Sequence, residues 1–288
     1  MIPYGCYEKL TKDHSNTYEL LPTPGFGTRD LSTISGVIFD QHTELPDHWQ
    51  QFLAQAANND ISLYDINHVY ESVFGKSPLE HLPEPTTSSL KPHWLYRSLK
   101  QTLESLAIIL TSIAWLPLVL LFALAIKLES KGPAFFIQRR VGRGGKEFNM
   151  IKLRSMSTDS EVNGAQFAGE DDPRITKIGK LIRKVRIDEI PQFINVLKGD
   201  MSLIGPRPEQ KDFVIQFEEK IPLYSLRHVV KPGITGWAQV THGYADDEDS
   251  TREKLAHDFY YVKNLSLWLD ITVVVKTIKT MIVGFGAR

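Results

Sequence analysis

Cysteine is nearly absent from this sequence, because Cys6 is the only one in 288 residues. A disulfide within one chain is therefore excluded, and a reducing compartment is the simple interpretation. The first 30 residues lack an apolar core preceded by cations, so we expect no N-terminal signal peptide. Net charge is also small, at −1, which argues against a surface that binds polyanions throughout. The charge is instead uneven, with eight Lys and Arg against two Glu between Lys127 and Arg154.

A glycine-rich phosphate loop is missing as well. Residues 142–146 read GRGGK, but the spacing is too short and Glu147 stands where such a loop needs Ser or Thr. The next stretch, FNMIKLRSM at 148–156, alternates in polarity and predicts a strand with Lys152 and Arg154 on one face. A solvated sheet edge is one interpretation of that face. The basic helix that follows favours the other, in which Lys152 faces phosphate.

One long run without charge extends from Leu106 to Ile126, with 21 mostly apolar residues and Pro117 near its middle. A buried core helix is one interpretation, but the length and the all-round hydrophobicity favour membrane insertion. Cations flank both ends, so the positive-inside rule places both ends in the cytoplasm. A helix that breaks at Pro117, enters the membrane and returns satisfies this rule, whereas a spanning helix does not. The flanking cations are Lys91, Arg97 and Lys100 before the run, and Lys127, Lys131, Arg139 and Arg140 after it.

The stretch from Asp172 to Glu209 carries the densest pattern of charged and apolar residues. Helical spacing predicts an amphipathic basic helix that ends near Ile187. Asp188 suits the N-cap of a second helix, which Gly199 would end. The following GPRP turn is stiff and would hold the guanidinium of Arg207 in place. The apolar face of the first helix comprises Ile175, Ile178, Leu181, Ile182 and Val185, and its cations are Lys177, Lys180, Arg183, Lys184 and Arg186.

Asp188 and Glu189 place two carboxylates beside these cations. Helix amides and Lys or Arg groups favour phosphate oxygens, and a carboxylate can attack phosphorus to give an acyl phosphate. The pair is then a nucleophilic or metal-binding site for a phosphate-bearing substrate. In the other interpretation, Asp188 only caps a helix and the cations form a solvated face. Spacing alone leaves both interpretations open.

The N-terminal part alternates between strand and helix patterns. Residues 36–40 and 61–66 predict strands, and residues 46–59 and 68–75 predict helices, which together form a short βαβα unit. Short, irregular elements follow the apolar run, so we expect an α/β fold with a small membrane-associated catalytic core and no large parallel sheet. The predicted division is 1–82 for the N-terminal extension, 83–101 for a linker, 102–130 for the re-entrant membrane helix, 131–245 for the catalytic core, and 246–288 for C-terminal interfacial amphipathic helices.

Three sequence blocks resemble those of the bacterial sugar transferases, which are polyprenol-phosphate phosphoglycosyltransferases. They are IDEIPQFINVLKGDMSLIGPRPE from Ile187 to Glu209, a block from Lys131 to Met156, and KPGITGWAQV from Lys231 to Val240. The resemblance covers the chain from about Thr102 onwards. It implies transfer of a phosphosugar from a UDP-sugar to a polyprenol phosphate such as undecaprenyl phosphate, with release of UMP. It also implies a place on the cytoplasmic face of the bacterial inner membrane.

Matching positions in these blocks implies roles for single residues. Asp188 would be the nucleophile that becomes phosphorylated, with Glu189 as its partner, and Mg²⁺ would bind through one of them. Pro117 would be the hinge of the re-entrant helix, although Leu116 stands where the family commonly has serine. The residues that hold substrate phosphates would be Lys152, Arg183 and Arg207.

The remaining expectations concern the N-terminal unit and the other classes of function. The unit resembles, in its VYES and LEHL segments, a truncated end of the nucleotide-binding-like domain that precedes the catalytic part in larger family members. A non-catalytic membrane-surface scaffold that binds anionic lipid is the alternative to an enzyme, but it gives no reason for the adjacent carboxylates. The membrane segment and the low net charge argue against a nucleic-acid partner. The oligomeric state stays open, and a homodimer is one option.

Overall fold

Two compact units, Met1–Pro83 and Glu84–Arg288, divide the chain. Helices and short sheets occur in both, so the protein has a mixed α/β structure. Each of the three sheets found in the described ranges contains two strands. The computed structural model describes residues 35–40, 45–79, 92–157, 172–242 and 248–283, with the side chains of 248, 249, 282 and 283 left out.

The first unit contains two short parallel strands, each followed by a helix. The carboxylate of Asp65 accepts a hydrogen bond from the amide of His68 and so caps the second helix, which ends at Gly75 with a left-handed φ of 62°. Ile66 and Tyr70 on that helix are buried and form a small core. The elements are β1 at Gly36–Phe39, α1 at Asp47–Asn58, β2 at Ser62–Asp65 and α2 at Ile66–Phe74.

The second unit begins with one long helix, α3, at Trp94–Glu129. The structure does not show the break predicted at Pro117, because Pro117 lies inside α3 and the helix continues without interruption on both sides of it. One face packs into the unit through residues such as Ile108 and Ile126, yet only 17% of the most apolar 18 residues is buried. By length and composition, α3 could cross a membrane. Its exposed face carries Leu106, Ile109, Leu110, Ile113, Leu116, Leu120, Leu121, Leu124 and Leu128.

An antiparallel hairpin follows α3. Its strands are β3 at Phe135–Val141 and β4 at Glu147–Leu153, which confirms the strand predicted around Lys152. Leu153 is buried in a cluster with residues of α3. Since successive side chains of a strand point to opposite faces, Lys152 projects away from that cluster.

The basic helix α4 spans Lys177–Lys184, and the side chain of Thr176 caps its N-terminus. The prediction that this helix continues to Ile187 is wrong. The chain turns at Arg186, whose φ of 55° is left-handed and therefore ends the helix before that point. Four of the five predicted cations, Lys177, Lys180, Arg183 and Lys184, thus lie on a helix of two turns, and Arg186 lies in the turn immediately ahead of the carboxylate pair.

The prediction that Asp188 caps a following helix is also wrong. The turn at Arg186 starts a 3₁₀ helix at Ile187–Gln192, so Asp188 lies within its first turn instead of ahead of it. This short helix leads directly into α5 at Phe193–Lys198. Gly199 ends α5 with a left-handed φ of 86°, and this part of the prediction is confirmed.

The C-terminal half of the second unit contains a parallel strand pair and four α-helices. In the KPGITGWAQV segment the strand is only Gly233–Thr235, and a helix begins at Trp237. The elements are β5 at Ser202–Ile204, α6 at Lys211–Lys220, a 3₁₀ helix at Tyr224–Val229, β6 at Gly233–Thr235, α7 at Trp237–Thr241, α8 at Glu248–Lys263 and α9 at Leu267–Val283. β5 and β6 are parallel neighbours.

Candidate active site

The two adjacent carboxylates lie on the 3₁₀ helix between α4 and α5. Ile187 and Ile190 flank the pair in sequence and pack against the hydrophobic cluster that includes Leu153. This packing holds the turn against the protein, and Asp188 and Glu189 are each only 9% exposed. Charges so far removed from water interact strongly with their neighbours and are costly to leave unpaired.

Glu189 is held by two cations. Nη2 of Arg207 donates a hydrogen bond to its Oε1 at 2.8 Å, and Nζ of Lys152 lies 3.5 Å from the same oxygen. Burial alone would raise the pKa of Glu189, but Arg207 and Lys152 outweigh it and hold that pKa well below its ordinary value. Glu189 is therefore ionised at neutral pH and fixes both cations at the site.

Asp188 differs from its neighbour because its carboxylate has no hydrogen bond or ion pair to another described residue. Burial and the negative charge of Glu189 raise its pKa to about 6, against the opposing effect of Lys152, Arg207 and Arg183. At neutral pH the carboxylate is still mostly ionised. It is thus a mostly ionised carboxylate without a hydrogen-bond or ion-pair partner among the described residues, which is the state in which a carboxylate can act as a nucleophile.

The other predicted cations divide into two groups. Arg183 on α4 is half-buried and lowers the pKa of Asp188, but it makes no hydrogen bond or ion pair with the described residues. Arg154 does not face the site. Its guanidinium donates to the carbonyls of Lys131 and Ser130 at 2.8 and 2.9 Å, so it fastens the end of α3 to β4.

Pro117 lies on α3, and its neighbours contact the element that carries the carboxylates. Trp115 meets Phe193, the first residue of α5, edge to face with ring centroids 5.6 Å apart. Val119 belongs to the same cluster as Ile187. The part of α3 around the proline therefore packs against the 3₁₀ helix and the start of α5.

The backbone of the GPRP turn is held by a second arginine. Nη2 of Arg227 donates to the carbonyl of Arg207 at 2.9 Å and to Oδ2 of Asp258 at 2.7 Å. The Arg227 and Asp258 side chains are both 3% exposed. Nη1 of Arg140 donates to the carbonyl of Pro208 at 3.2 Å. These contacts fix the base of Arg207 while its guanidinium reaches Glu189.

Close backbone contact also fixes this turn. The amide of Gly205 donates to the carbonyl of Thr235 at 2.9 Å, and the amide of Gly233 donates to that of Pro206 at the same distance. A Cβ on Gly205 would lie 2.5 Å from the carbonyl oxygen of Lys231, so only glycine allows this approach. The GPRP turn and the PGITG segment are therefore one packed unit, although they are distant in sequence.

The sequence profile described as bacterial sugar transferase matches residues 95–284, which include α3, the hairpin and the carboxylate site. The chain belongs to the bacterial sugar transferase family. It is 48% identical over all 288 residues to a UDP-N-acetylgalactosamine-undecaprenyl-phosphate N-acetylgalactosaminephosphotransferase of Aeromonas hydrophila, and covers 68% of that protein. It is 40% identical over 185 residues, 64% of the chain, to a UDP-glucose:undecaprenyl-phosphate glucose-1-phosphate transferase of Caulobacter vibrioides, and covers 69% of it.

This sugar transferase is an enzyme of the sugar-phosphate transferase class, as its relatives are. A protein of Escherichia coli with the same printed name as the Caulobacter enzyme is 37% identical to this chain over 221 residues. The alignment covers 76% of this chain and 47% of the Escherichia coli protein. The family match covers the second unit. The Aeromonas relative aligns over the first unit as well.

Sequence reasoning about this sugar transferase missed the residues that support Arg207. Arg227 and Asp258 are 31 positions apart, and Arg140 is 68 positions from Pro208. Neither pairing leaves a periodic signal in the chain. The one local clue is that Lys254 and Asp258 are four residues apart on α8 and so share a face of the helix. From that face, Lys254 donates to Glu209 at 2.6 Å, and Asp258 accepts from Arg227.

A cavity of about 320 Å³ lies near the start of α3 in the sugar transferase unit. None of the predicted site residues lines it. Its walls include Tyr96, Lys100, Glu104, Lys231 and Tyr261. The carboxylate site is therefore recognised by its charges, and not by this concavity.

Proposed function

We propose that the protein transfers a phosphosugar from a UDP-sugar to undecaprenyl phosphate or a related polyprenol phosphate and releases UMP. This would be the first membrane step of polysaccharide or glycoconjugate synthesis. The observation that carries the proposal is the buried carboxylate of Asp188, which has no partner among the described residues and lies beside a Glu189 that two cations hold. The substrate class follows the printed names of the relatives, which pair a UDP-sugar with undecaprenyl phosphate.

In the first half of the reaction, an oxygen of Asp188 attacks the phosphorus that bears the sugar. A bond forms between that oxygen and the phosphorus, the bond from the phosphorus to the UMP oxygen breaks, and UMP leaves with the bonding electrons. Arg207 and Lys152 lie beside the pair and stabilise the charge that grows on the phosphoryl oxygens. Arg183, half-buried and without a protein partner among the described residues, holds a further phosphate oxygen.

In the second half, an oxygen of the polyprenol phosphate attacks the same phosphorus. The new bond joins the two phosphates of the product, the bond to Asp188 breaks, and the carboxylate is restored. Because the first product leaves before the second substrate reacts, one small site serves both steps. The rival scheme, direct attack by the lipid on the UDP-sugar, leaves Asp188 without a role as nucleophile.

The carboxylate pair fits a magnesium ion. Magnesium prefers hard oxygen ligands and is usually bound by one or two carboxylates together with substrate phosphates. Asp188 offers such a carboxylate with no cation bonded to it among the described residues, and burial together with the charge of Glu189 raises its pKa. Asp188 and Glu189 would hold the ion, which when bound neutralises charge on the diphosphate.

The exposed apolar face of α3 favours a place in the membrane. Its exposed leucine and isoleucine side chains lie opposite the face that packs on the rest of the unit. One face of α3 would therefore contact the protein core, and the opposite face would contact lipid. The cations at both ends favour entry and return from the cytoplasmic side of the bacterial inner membrane. Return requires α3, which is continuous in this structure, to bend in the membrane, and Pro117 is the residue that favours a bend. The acceptor's phosphate would then reach Asp188 at the membrane surface.

Mass spectrometry of the intact protein and of its proteolytic peptides tests the covalent step. The full chain in detergent is incubated with each member of a panel of UDP-sugars and Mg²⁺, without acceptor. One sugar should yield an added phosphosugar on the peptide that contains Asp188, with about one UMP released per chain. Asp188→Asn should abolish both signals, whereas Asp212→Asn, an exposed acid on α6, should retain them.

Addition of polyprenol phosphate should then remove the adduct and give the lipid product. If product forms while no adduct is ever detected, and initial rates follow a sequential pattern, direct transfer replaces the covalent scheme. If the protein binds anionic vesicles but releases no UMP from any UDP-sugar, the scaffold interpretation replaces the enzyme.

A further inference from the structure

Two histidines and a glutamate converge outside the carboxylate site. His242 follows α7, and Glu253 and His257 lie four residues apart on α8. Each of the three offers one ligand atom, and these atoms all lie within 4.8 Å of one another. The imidazole rings of His242 and His257 stack with centroids 6.0 Å apart. Among the described residues, this is the group of three that could hold a metal ion.

Burial gives the cluster a second feature of a ligand site. His257 is only 6% exposed, and Nε2 of His242 is shielded from solvent with no hydrogen-bond partner among the described residues. A buried polar atom without a hydrogen-bond partner destabilises the folded state, so such an atom calls for an explanation. A metal ion that takes a lone pair from the ring supplies one.

The helices hold the three side chains in place. The backbone amide of His242 donates to the carbonyl of Ala238, which ties the residue to the end of α7. Trp237 of α7 packs on Tyr260 of α8 with ring centroids 5.6 Å apart. The site is therefore built across a packed helix pair.

We propose that His242, Glu253 and His257 bind one Zn²⁺ ion. Two imidazole nitrogens and one carboxylate form a donor set that zinc favours, whereas magnesium and calcium favour oxygen ligands alone. Zinc–ligand bonds of about 2.0–2.2 Å in tetrahedral geometry leave the fourth position to water. The proposal does not depend on sugar transfer, since it concerns residues that the carboxylate chemistry does not use.

The ion would cross-link the end of α7 to α8, the helix whose side chains contact the neighbours of the GPRP turn. Lys254 and Asp258 directly follow Glu253 and His257 in sequence, and they bond Glu209 and Arg227. Anchoring this turn of α8 thus supports the contacts that hold the backbone of Arg207. Zinc would act on the active site through position and not through contact with substrate.

Metal content measured on the full chain tests the proposal. The protein is purified in detergent through a tag without histidine, dialysed against chelator-buffered Zn²⁺, and analysed by inductively coupled plasma mass spectrometry. We expect about one zinc per chain in the wild type. His242→Gln and His257→Gln should each weaken binding at least tenfold, whereas His68→Gln, exposed on α2, should leave it unchanged.

Thermal unfolding gives a readout besides stoichiometry. Zinc should raise the unfolding midpoint of the wild type and of His68→Gln, but not that of His242→Gln. If His257→Gln does not fold, the half-buried His242→Gln and the visible spectrum of the Co²⁺-loaded wild type decide. Less than about 0.2 zinc per chain, zinc bound equally by the ligand variants, or binding of Mg²⁺ alone overturns the proposal.

Discussion

At the scale of single residues, Asp188 combines a buried position with an ionised side chain. Its pKa of about 6 in the folded protein is above the ordinary value of 3.8, chiefly because of burial and then the charge of Glu189. Between these two pH values the folded state binds more protons than the unfolded state. The free energy of unfolding therefore falls as pH rises from about 4 to about 6, and it stays lower above that range.

Asp188→Asn should consequently stabilise the protein at pH 7.5. Removal of the buried charge recovers on the order of 2–3 kcal/mol, since one pKa unit corresponds to about 1.4 kcal/mol. For a unit of this size, that gain raises the unfolding midpoint by roughly 5 °C. Differential scanning fluorimetry in detergent measures it. Asp212→Asn should show no gain, and neither variant should differ from the wild type near pH 4; an unchanged or lower midpoint for Asp188→Asn at pH 7.5 contradicts the account.

The same pKa sets the pH dependence of the first half-reaction. A carboxylate attacks phosphorus only when it is ionised, so UMP release without acceptor should rise with pH through about 6 and then level off. Single-turnover rates between pH 5 and 8 check this, because the acceptor phosphate does not take part. A flat profile, or one that falls in this range, would remove Asp188 from the role of nucleophile.

At the scale of elements, Arg227 connects α8 to the GPRP turn. Asp258→Ala leaves the buried guanidinium without its counter-charge and should lower the free energy of unfolding by about 3–5 kcal/mol. Arg227→Met with Asp258→Leu replaces the pair by apolar side chains, so stability should largely return. Transfer should nevertheless stay at least about tenfold slow, because the carbonyl of Arg207 has lost its donor.

Denaturant unfolding and the rate of UMP release, measured on both variants, separate these effects. Recovery of the full rate together with stability in the double variant would show that Arg227 only holds the fold. A loss confined to kcat, with KM unchanged, would show that it positions Arg207 for the transition state.

The contact between the GPRP turn and the β6 strand makes a second prediction at this scale. Gly205→Ala places a Cβ 2.5 Å from the carbonyl oxygen of Lys231 and should force β5 and β6 apart, at a cost of about 2 kcal/mol or more. Gly144→Ala is the matched control. No described atom lies within 4 Å of the Cβ that Gly144→Ala adds. The expected loss of stability, about 1–2 kcal/mol, therefore comes only from the left-handed φ of 67°.

Urea unfolding and UMP release measured on both glycine variants test the contact. Gly205→Ala should lose activity because Arg207 moves with the turn, while Gly144→Ala should keep it. Full activity in Gly205→Ala would mean that the strand pair does not position Arg207.

At the scale of the whole molecule, the path of α3 through the membrane decides how the catalytic unit meets its lipid substrate. A re-entrant helix leaves both ends on one side, and a spanning helix does not. In a Cys6→Ser background, Ser98→Cys and Lys131→Cys place single thiols at exposed positions before and after the apolar run. Ser130 is avoided because it bonds Arg154.

In inverted membrane vesicles, an impermeant maleimide should label both cysteines, because the flanking cations keep both ends cytoplasmic. Pro117→Ala restores the missing amide and should shift α3 towards spanning, with labelling at one of the two positions reduced. If the two cysteines are labelled from opposite sides of the membrane while Pro117 is retained, α3 spans the membrane.

The sequence by itself determined what depends on neighbours in the chain. The 21 uncharged residues from Leu106 to Ile126 predict an apolar helix that breaks at Pro117; α3 contains all of them but runs through Pro117 without interruption. Alternation places Lys152 on the face of β4 opposite Leu153, since the period of a strand is a local property. The three blocks also identify the family, and with it the carboxylate pair.

Tertiary structure decided what depends on residues that meet across long separations. Capping preference pointed to Asp188, but the left-handed turn at Arg186, set by packing of the adjoining helices, placed it inside a 3₁₀ helix. Propensity is weak beside packing, so local rules fail at such a turn. The partners of Arg207 are brought together because segments distant in sequence pack on one another, and His242 approaches His257 because the consecutive helices α7 and α8 pack together. No periodic pattern along the chain records those contacts.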